Sequence, residues 1–486
     1  MISLTPSVWT MGGFDPCAGA GLLADARTLH TLGVLHFGVT TALTAQNGAT
    51  VTRVDAVSID LIEAQIHALK KLGWPAVIKL SLLPNEQVIQ CLDHLLTDYP
   101  GQIIYDPVMV ASAGMRLMSP QALPALLQLL KRVTILTPNL PEAECITHQA
   151  ILTEADQLAC LKKLLDYGVS HVILKGGHKS GSLAQDLYWG PKEHFWLNLP
   201  KLSSPPLHGT GCVFSAALAG FIAKNYAITE AFVLAKMAIH QSIRLAYQPF
   251  SGMAYACLSH WPADPQDLPW LTQDPDSAFH RLAFAPCQKK IGFYPVVQDL
   301  RWVQQLNSWG AKSIQLRIKS KDHRILADEI SQAVQSAPAG QQLFINDHWA
   351  LAMQHQAYGV HLGQEDLFDC DLPKLAQAGL RLGVSTHNYC ELARAHALQP
   401  SYIALGPIYP TTSKIMAFEA QGLARLRHWR QLVSTSLVAI GGITTDNLSD
   451  IAAIPVDGIA VISALTQAPD PFKNYQFFSN LCDTHV

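Results

Sequence analysis

The runs GFYPVV (292–297), SIQLRI (313–318), QLFIN (342–346), GVHL (359–362), RLGVS (381–385), YIAL (402–405), LVAI (437–440) and GIAVI (458–462) recur with amphipathic helical stretches between them. Apolar runs rich in Val, Ile and Leu that alternate with helical stretches are the pattern of parallel strands buried under helices. Eight such runs packed this closely predict a (β/α)8 TIM barrel, whose active site lies at the C-terminal ends of the strands. The polar residues collect there. Gln315 and Lys319, Asn346 and Asp347, Asp366, Ser385, Thr411 to Lys414, Gly441 and Gly442, and Ser463 each lie at or just past a strand end.

Upstream of the barrel, residues 249–286 hold six of the 29 prolines together with Asp264, Asp267, Asp274 and Asp276, which predicts a Pro-rich linker. The expected division is a domain over 1–262, a linker over 263–286 and the barrel over 287–486. Residues 1–262 again alternate β-branched runs with helical stretches, so both halves are expected to be α/β. At 49% hydrophobic and 15% charged residues the 486-residue chain is neither disordered nor fibrous. A net charge of −3 without a basic stripe speaks against a nucleic-acid partner. The charge-free windows 28–52 and 202–223 are broken by polar residues and prolines, so no membrane partner is expected. Without a basic residue ahead of an apolar N-terminal run, and with ten scattered Cys that form no CxxC pair, the expected location is cytoplasmic with reduced thiols. Composition leaves room for a homo-oligomer.

Residues 12–21, GGFDPCAGAG, join an apolar strand ending near Met11 to a helix with Leu22, Ala26 and Leu29 on one face. A Gly-rich turn feeding a helix N-terminus suits a phosphate or a closely approached ligand. Gly19, Gly21 and Ala24 match GxGxxA, but no acid precedes Asp55, which argues against a dinucleotide fold, and there is no Walker A sequence. HGTGC at 208–212 precedes an apolar helical run. Three small residues before a helix leave the amides of Gly209, Thr210 and Gly211 to surround a developing negative charge. Cys212 in the first turn is expected to have its thiol pKa lowered by the helix dipole and to act as a base toward a hydroxyl. The alternative is a buried Cys on a packed helix.

With TAQN (44–47), DPVM (106–109), TPNLPEA (137–143) and KGGH (175–178), these two stretches resemble the hydroxymethylpyrimidine/phosphomethylpyrimidine kinase family of ribokinase-like enzymes. The resemblance implies a three-layer α/β/α fold and phosphorylation of 4-amino-5-hydroxymethyl-2-methylpyrimidine, then of its monophosphate, with ATP as co-substrate and Mg2+. It implies that Gly13, Asp25, Gln46, Leu82 and Val108 line a pyrimidine pocket, that Lys175 faces phosphate, and that Cys212 replaces the Asp base usual in sugar kinases. By residue type alone, Asp25 also suits a helix N-terminus, Gln46 a turn, and Pro141 with Glu142 a helix start. Cys17 and Ala18 stand where the family has Ser and Gly, and Leu80, Ser81 and Leu82 where it has Ile, Gly and Met. Against the kinase stand a ligand-binding or dimerisation module and a pyridoxal kinase, the latter opposed by Cys212.

In the barrel, Gln315, Arg317 and Lys319 alternate on one strand face, which requires anions or acids opposite. Asp347 and Asp366, ending neighbouring strands, suit a magnesium ion that holds a substrate phosphate. Salt bridges and helix caps are the other reading of the same acids. PTTSK (410–414), AIGGI (439–443), GVSTH (383–387) and AVISA (460–464) complete a likeness, over residues 288 to about 465, to thiamine-phosphate synthase. That family joins a pyrimidine pyrophosphate to a thiazole phosphate carboxylate, releasing pyrophosphate and CO2. The likeness implies that Gln315, Arg317, Lys319, Asn346, Ser385 and Lys414 bind the pyrimidine pyrophosphate and that Asp347 and Asp366 hold the metal. Thr411, Thr412, Ser413, Gly442, Ile462 and Ser463 are implied for the thiazole phosphate. The acid pair argues against the related thiazole tautomerase.

Overall fold

The structure, a computed structural model, describes residues 5–111, 114–177, 181–250, 253–279, 281–320, 322–411 and 419–485. The chain divides into two compact units, Met1–Pro262 with Gln266–Ala278 and Phe279–Val486 with Ala263–Pro265.

In the first unit, β1 (Ser7–Phe14), β2 (Leu35–Gln46), β3 (Val51–Ala56), β4 (Val77–Leu80), β5 (Gln102–Tyr105), β6 (Ile135–Leu136), β7 (His171–Leu174), β8 (Leu183–Trp189) and β9 (His194–Pro200) lie in one sheet. β10 (Leu207–His208), β11 (Tyr247–Phe250) and β12 (Met253–Tyr255) form a small second sheet, and β13 (Trp270–Thr272) closes the edge of the first. The large sheet runs β13-β9-β8-β7-β6-β5-β4-β1-β2-β3, parallel from β7 across to β2 and antiparallel outside.

Alternation along the strands sends Trp9, Met11, Ile78, Leu80, Ile103 and Tyr105 into one core with Ile62, Ile66, Ile89 and Leu92 of the helices Ile59–Lys70 and Glu86–Leu95. Lys79, between Ile78 and Leu80, points to the opposite face. There it pairs with Asp25 on the helix Gly21–Thr31. The helix Thr210–Ala223 is buried from Cys212 to its end, as its unbroken apolar run requires. This is the expected three-layer α/β/α arrangement. Because the central strands are parallel, their C-terminal ends share one edge, which brings Gly13, Leu82, Asp106 and Lys175 together.

The Pro-rich segment departs from a bare spacer. β13 pairs antiparallel with β9, Leu268, Trp270 and Leu271 are buried, and Asp267, also buried, accepts from His240 and Arg244. Pro269 and Pro275 flank a three-residue edge strand rather than interrupt one.

The second unit closes eight parallel strands into a barrel: β14 (Gly292–Val297), β15 (Ser313–Leu316), β16 (Gln342–Asn346), β17 (Gly359–Leu362), β18 (Arg381–Thr386), β19 (Tyr402–Leu405), β20 (Ser436–Ile440) and β21 (Gly458–Val461). Tyr294, Val296, Phe344, Tyr402, Ala404, Val438 and Ala460 form one buried cluster from five of these strands. β15 ends at Leu316, two residues short of its expected end, so Arg317 to Lys319 leave the strand.

Candidate active sites

In the first unit a cavity of about 920 Å³ opens at the strand ends. Gly13, Gln46, Leu82 and Val108 line it, as do Lys175, Gly209, Thr210, Gly211 and Cys212. Asp25 does not line it. It is fully buried and committed to Lys79, because the helix carrying it packs onto the sheet face from which Lys79 projects.

Asp15 joins the two glycine motifs. Its carboxylate accepts from the amides of Cys17, Gly19 and Ala20 and sits 2.9 Å from His208 Nε2. Burial works against that charge, but His208 and the amides outweigh it and hold the Asp15 carboxyl below its usual range. Gly209 has φ +84°, and a Cβ there would lie 1.8 Å from the carbonyl oxygen of Gly19, so only glycine allows the loops to interlock. The departures leave their mark nearby: Ala18 takes φ +56°, and Ser81 Oγ fills the space a Cβ on Gly12 would need.

Cys212 Sγ accepts from Gly21 N at 3.3 Å. Burial pushes the thiol up to about 11, against the expected lowering, with Lys79 opposing and Asp25 and Asp106 adding. Removing the sulfur from water outweighs what the first helical turn offers. Lys175 Nζ lies 2.6 Å from Asp106 Oδ1, and Asp106 also accepts from Ser215 and Thr137 at 3.0 and 3.2 Å. Burial opposes the Lys175 charge, yet Asp106 and Glu142 keep the ammonium above its ordinary value. Glu142, read from sequence as a helix start, fills that place in a reciprocal cap with Asn139 and also lines the cavity. Burial pushes its carboxyl up to about 7, with Lys175 opposing and Asp106 adding.

In the barrel a cavity of about 420 Å³ lies at the strand C-terminal ends. Gln315, Arg317, Asn346, Asp347, Asp366 and Ser385 line it, joined by Thr411, Gly442, Ile462 and Ser463. Lys319 is exposed and absent from that lining, since the chain has already left β15. Thr412, Ser413 and Lys414 lie outside the described residues. Burial, then the charge of Asp366, raises the Asp347 carboxyl, with Arg317 and His348 opposing. Two acids that repel each other in a cavity fit a cation between them. Asp366 also accepts from Gly363 N at 3.1 Å, so part of its role is to hold its turn. No cluster of three or more His, Cys, Asp or Glu occurs among the described residues, so an ion here would need oxygens from substrate or water.

Sequence reasoning passed over His361, the one polar residue in GVHL. It lies 2.7 Å from both Tyr402 Oη and Ser385 Oγ. Burial, helped by Arg317, pushes the imidazole down to about 3, so it is neutral.

Residues 15–255 match the family model for phosphomethylpyrimidine kinase, and residues 293–465 match that for thiamine monophosphate synthase. The thiamine-phosphate synthase of Pectobacterium atrosepticum is 53% identical over 190 residues, 38% of this chain and 89% of that protein. That of Proteus mirabilis is 50% identical over 190 residues, covering 39% and 88%. A solved phosphomethylpyrimidine kinase from Clostridium difficile 630 is 32% identical, with all of its chain matched by 49% of this one at a TM-score of 0.45.

The chain belongs to the phosphomethylpyrimidine kinase and thiamine-phosphate synthase families.

It is therefore a bifunctional enzyme with a kinase unit and a synthase unit, and its kinase family implies ATP as co-substrate. A pyridoxal kinase from Staphylococcus aureus in complex with ADP also resembles the kinase unit, at 25% identity and a TM-score of 0.51 over 56% of this chain and 98% of that one. Among the described residues no helix is long and apolar enough to cross a membrane.

Proposed function

We propose that the kinase unit phosphorylates 4-amino-5-hydroxymethyl-2-methylpyrimidine and then its monophosphate with ATP, and that the barrel condenses the resulting pyrophosphate with thiazole phosphate carboxylate to thiamine phosphate. Pyrophosphate and CO2 leave in the second reaction. The observation that carries the reading is the meeting of the Gly209–Cys212 helix start and Lys175 on one cavity wall. Amides at a helix N-terminus and an ammonium stabilise the charge that develops as a phosphoryl group transfers. Cys212 takes the proton of the attacking hydroxyl, and Gly13, Gln46, Leu82 and Val108 hold the pyrimidine.

In the barrel, Arg317, Asn346 and Ser385 meet the pyrophosphate, while Gln315 faces the ring. Thr411, Gly442, Ile462 and Ser463 take the thiazole phosphate, joined by Thr412 and Ser413, and Lys414 joins the pyrophosphate contacts. Asp347 and Asp366 would hold Mg2+, which neutralises the leaving pyrophosphate when bound. Glu142, with its raised carboxyl beside Lys175, fits the same ion in the kinase unit. All ten cysteines are free thiols, which suits a cytoplasmic enzyme of small-molecule substrates.

The test is to incubate the intact chain with the hydroxymethylpyrimidine, ATP, Mg2+ and thiazole phosphate carboxylate and to follow products by mass spectrometry. Monophosphate, pyrophosphate and thiamine phosphate are expected in that order. Thiamine phosphate formed only when pyrimidine pyrophosphate is supplied would reduce the first unit to a binding module.

A further inference from the structure

A line of polar groups runs through the barrel interior. Gln315 Nε2 donates to Tyr294 Oη at 3.4 Å, and Tyr294 Oη lies 2.9 Å from Tyr402 Oη. Tyr402 Oη is 2.7 Å from His361 Nδ1, and His361 Nε2 is 2.7 Å from Ser385 Oγ. The two ends, Gln315 and Ser385, line the synthase cavity, as does the ring of His361, whereas Tyr294 and Tyr402 are buried away from it.

The links cannot be oriented one at a time. Each phenol has a single hydrogen, and a neutral imidazole has a single N–H. A buried donor or acceptor left unpaired costs about 1–3 kcal/mol, so the line settles into one of two polarities. With the Gln315 amide nitrogen on Tyr294, Tyr294 gives its hydrogen to Tyr402, and Tyr402 gives its own to His361 Nδ1. His361 then gives its Nε2 hydrogen to Ser385. This leaves the Ser385 hydroxyl hydrogen for a ligand, and at Gln315 the carbonyl, with the second amide hydrogen beside it. In the opposite polarity Ser385 donates to His361, the amide of Gln315 turns over, and both ends exchange roles.

We propose that this line couples the two ends of the pyrimidine substrate: the Ser385 hydroxyl that donates to pyrophosphate sets Gln315 as an acceptor, which takes the ring amino group and rejects a ring oxo group. Tyr294, Tyr402 and His361 are positioning residues, and the proposal rests on the synthase reading given above. A ring oxygen would face the Gln315 carbonyl lone pair to lone pair. Putting the amide nitrogen in the place of that carbonyl turns Gln315 over, which reverses the whole line and withdraws the Ser385 hydrogen from the pyrophosphate.

The experiment gives the intact chain either the aminopyrimidine pyrophosphate or its 4-oxo analogue, each with thiazole phosphate carboxylate, and measures condensed product by mass spectrometry. Tyr402→Phe removes one hydroxyl from the middle of the line and frees Gln315 to turn independently. The amino-to-oxo ratio of kcat/KM is expected to fall by about tenfold or more, on the scale of discrimination through one hydrogen-bonding group. Tyr294→Phe cuts the line on the other side and is expected to do the same, which keeps the test open if Tyr402→Phe fails to fold. Equal losses on both substrates, with the ratio unchanged, would mean that the hydroxyls only support the barrel, and would overturn the proposal. An active wild-type chain that accepts both pyrimidines equally would overturn it alone. A wild-type chain that makes no thiamine phosphate from supplied aminopyrimidine pyrophosphate would overturn the synthase reading and the proposal with it.

Discussion

Cys212 must give up its proton before it can accept another, and burial sets that step near pH 11. Below that value the thiolate fraction rises about tenfold per pH unit, so the kinase rate is expected to climb from about pH 7 to about pH 9. Cys212→Ala should flatten this climb and lower pyrimidine phosphorylation at least ~100-fold, with condensation of supplied pyrimidine pyrophosphate unchanged. Rates of the wild type and of Cys212→Ala across that range check it, and a wild-type rate in Cys212→Ala would refute the base. Asp347 offers a cleaner substitution, because its φ of +62° is one that Asn tolerates. Asp347→Asn is expected to raise the half-saturating magnesium for condensation by about tenfold or more while the kinase is unaffected. Titrating magnesium against thiamine phosphate formation decides it. At this scale the sequence was legible where function needs neighbours in the chain. Gly209 to Cys212, four consecutive residues, line the kinase cavity together. Asp15 and His208 were not legible, because their pairing spans 193 residues and exists only once the sheet has formed. The lowered thiol expected from the helix start failed for a related reason: a dipole is visible in sequence, whereas burial is not.

Elements were easier to read than their ends. The eight barrel strands carry Val, Ile and Leu because helices cover them outside and side chains fill them inside, so each shows as an apolar run. β15 ends at Leu316, where its pairing with β14 and β16 stops, whereas the alternating QLRIK pattern continues past that point. β13 was hidden for the opposite reason: its prolines look like a spacer, yet they flank a strand whose register comes from β9, 72 residues upstream at Asn198 and Trp270. The consequence can be measured. A fragment ending at residue 265 loses β13 and Asp267, and leaves His240 and Arg244 without their shared carboxylate. Removing one partner of a buried pair costs about 3–5 kcal/mol, so this fragment should melt well below one that ends at residue 278. Equal melting temperatures would mean that β13 adds nothing to the kinase unit.

For the whole molecule, the question is what joining the two units accomplishes. Among the described residues, each cavity is lined by residues of its own unit, and each unit has its own buried cluster. Fragments 1–278 and 279–486 are therefore expected to fold separately and keep their own reactions. A small pyrophosphate released by the kinase unit diffuses away in far less than a millisecond, whereas a typical turnover takes on the order of 0.1 s. Covalent joining by itself then cannot hold the intermediate for the barrel. Intact chain and an equimolar mixture of the two fragments should show the same lag before thiamine phosphate appears from the hydroxymethylpyrimidine, and an added excess of the 4-oxo pyrophosphate should compete equally in both. The measurement is the time course by mass spectrometry at matched concentrations, with far-UV circular dichroism and thermal melts of each fragment beside it. A shorter lag or weaker competition in the intact chain would show that the intermediate passes between the units without mixing with solvent. A barrel fragment that recovers activity only with the kinase fragment present would show that the two units depend on each other to fold.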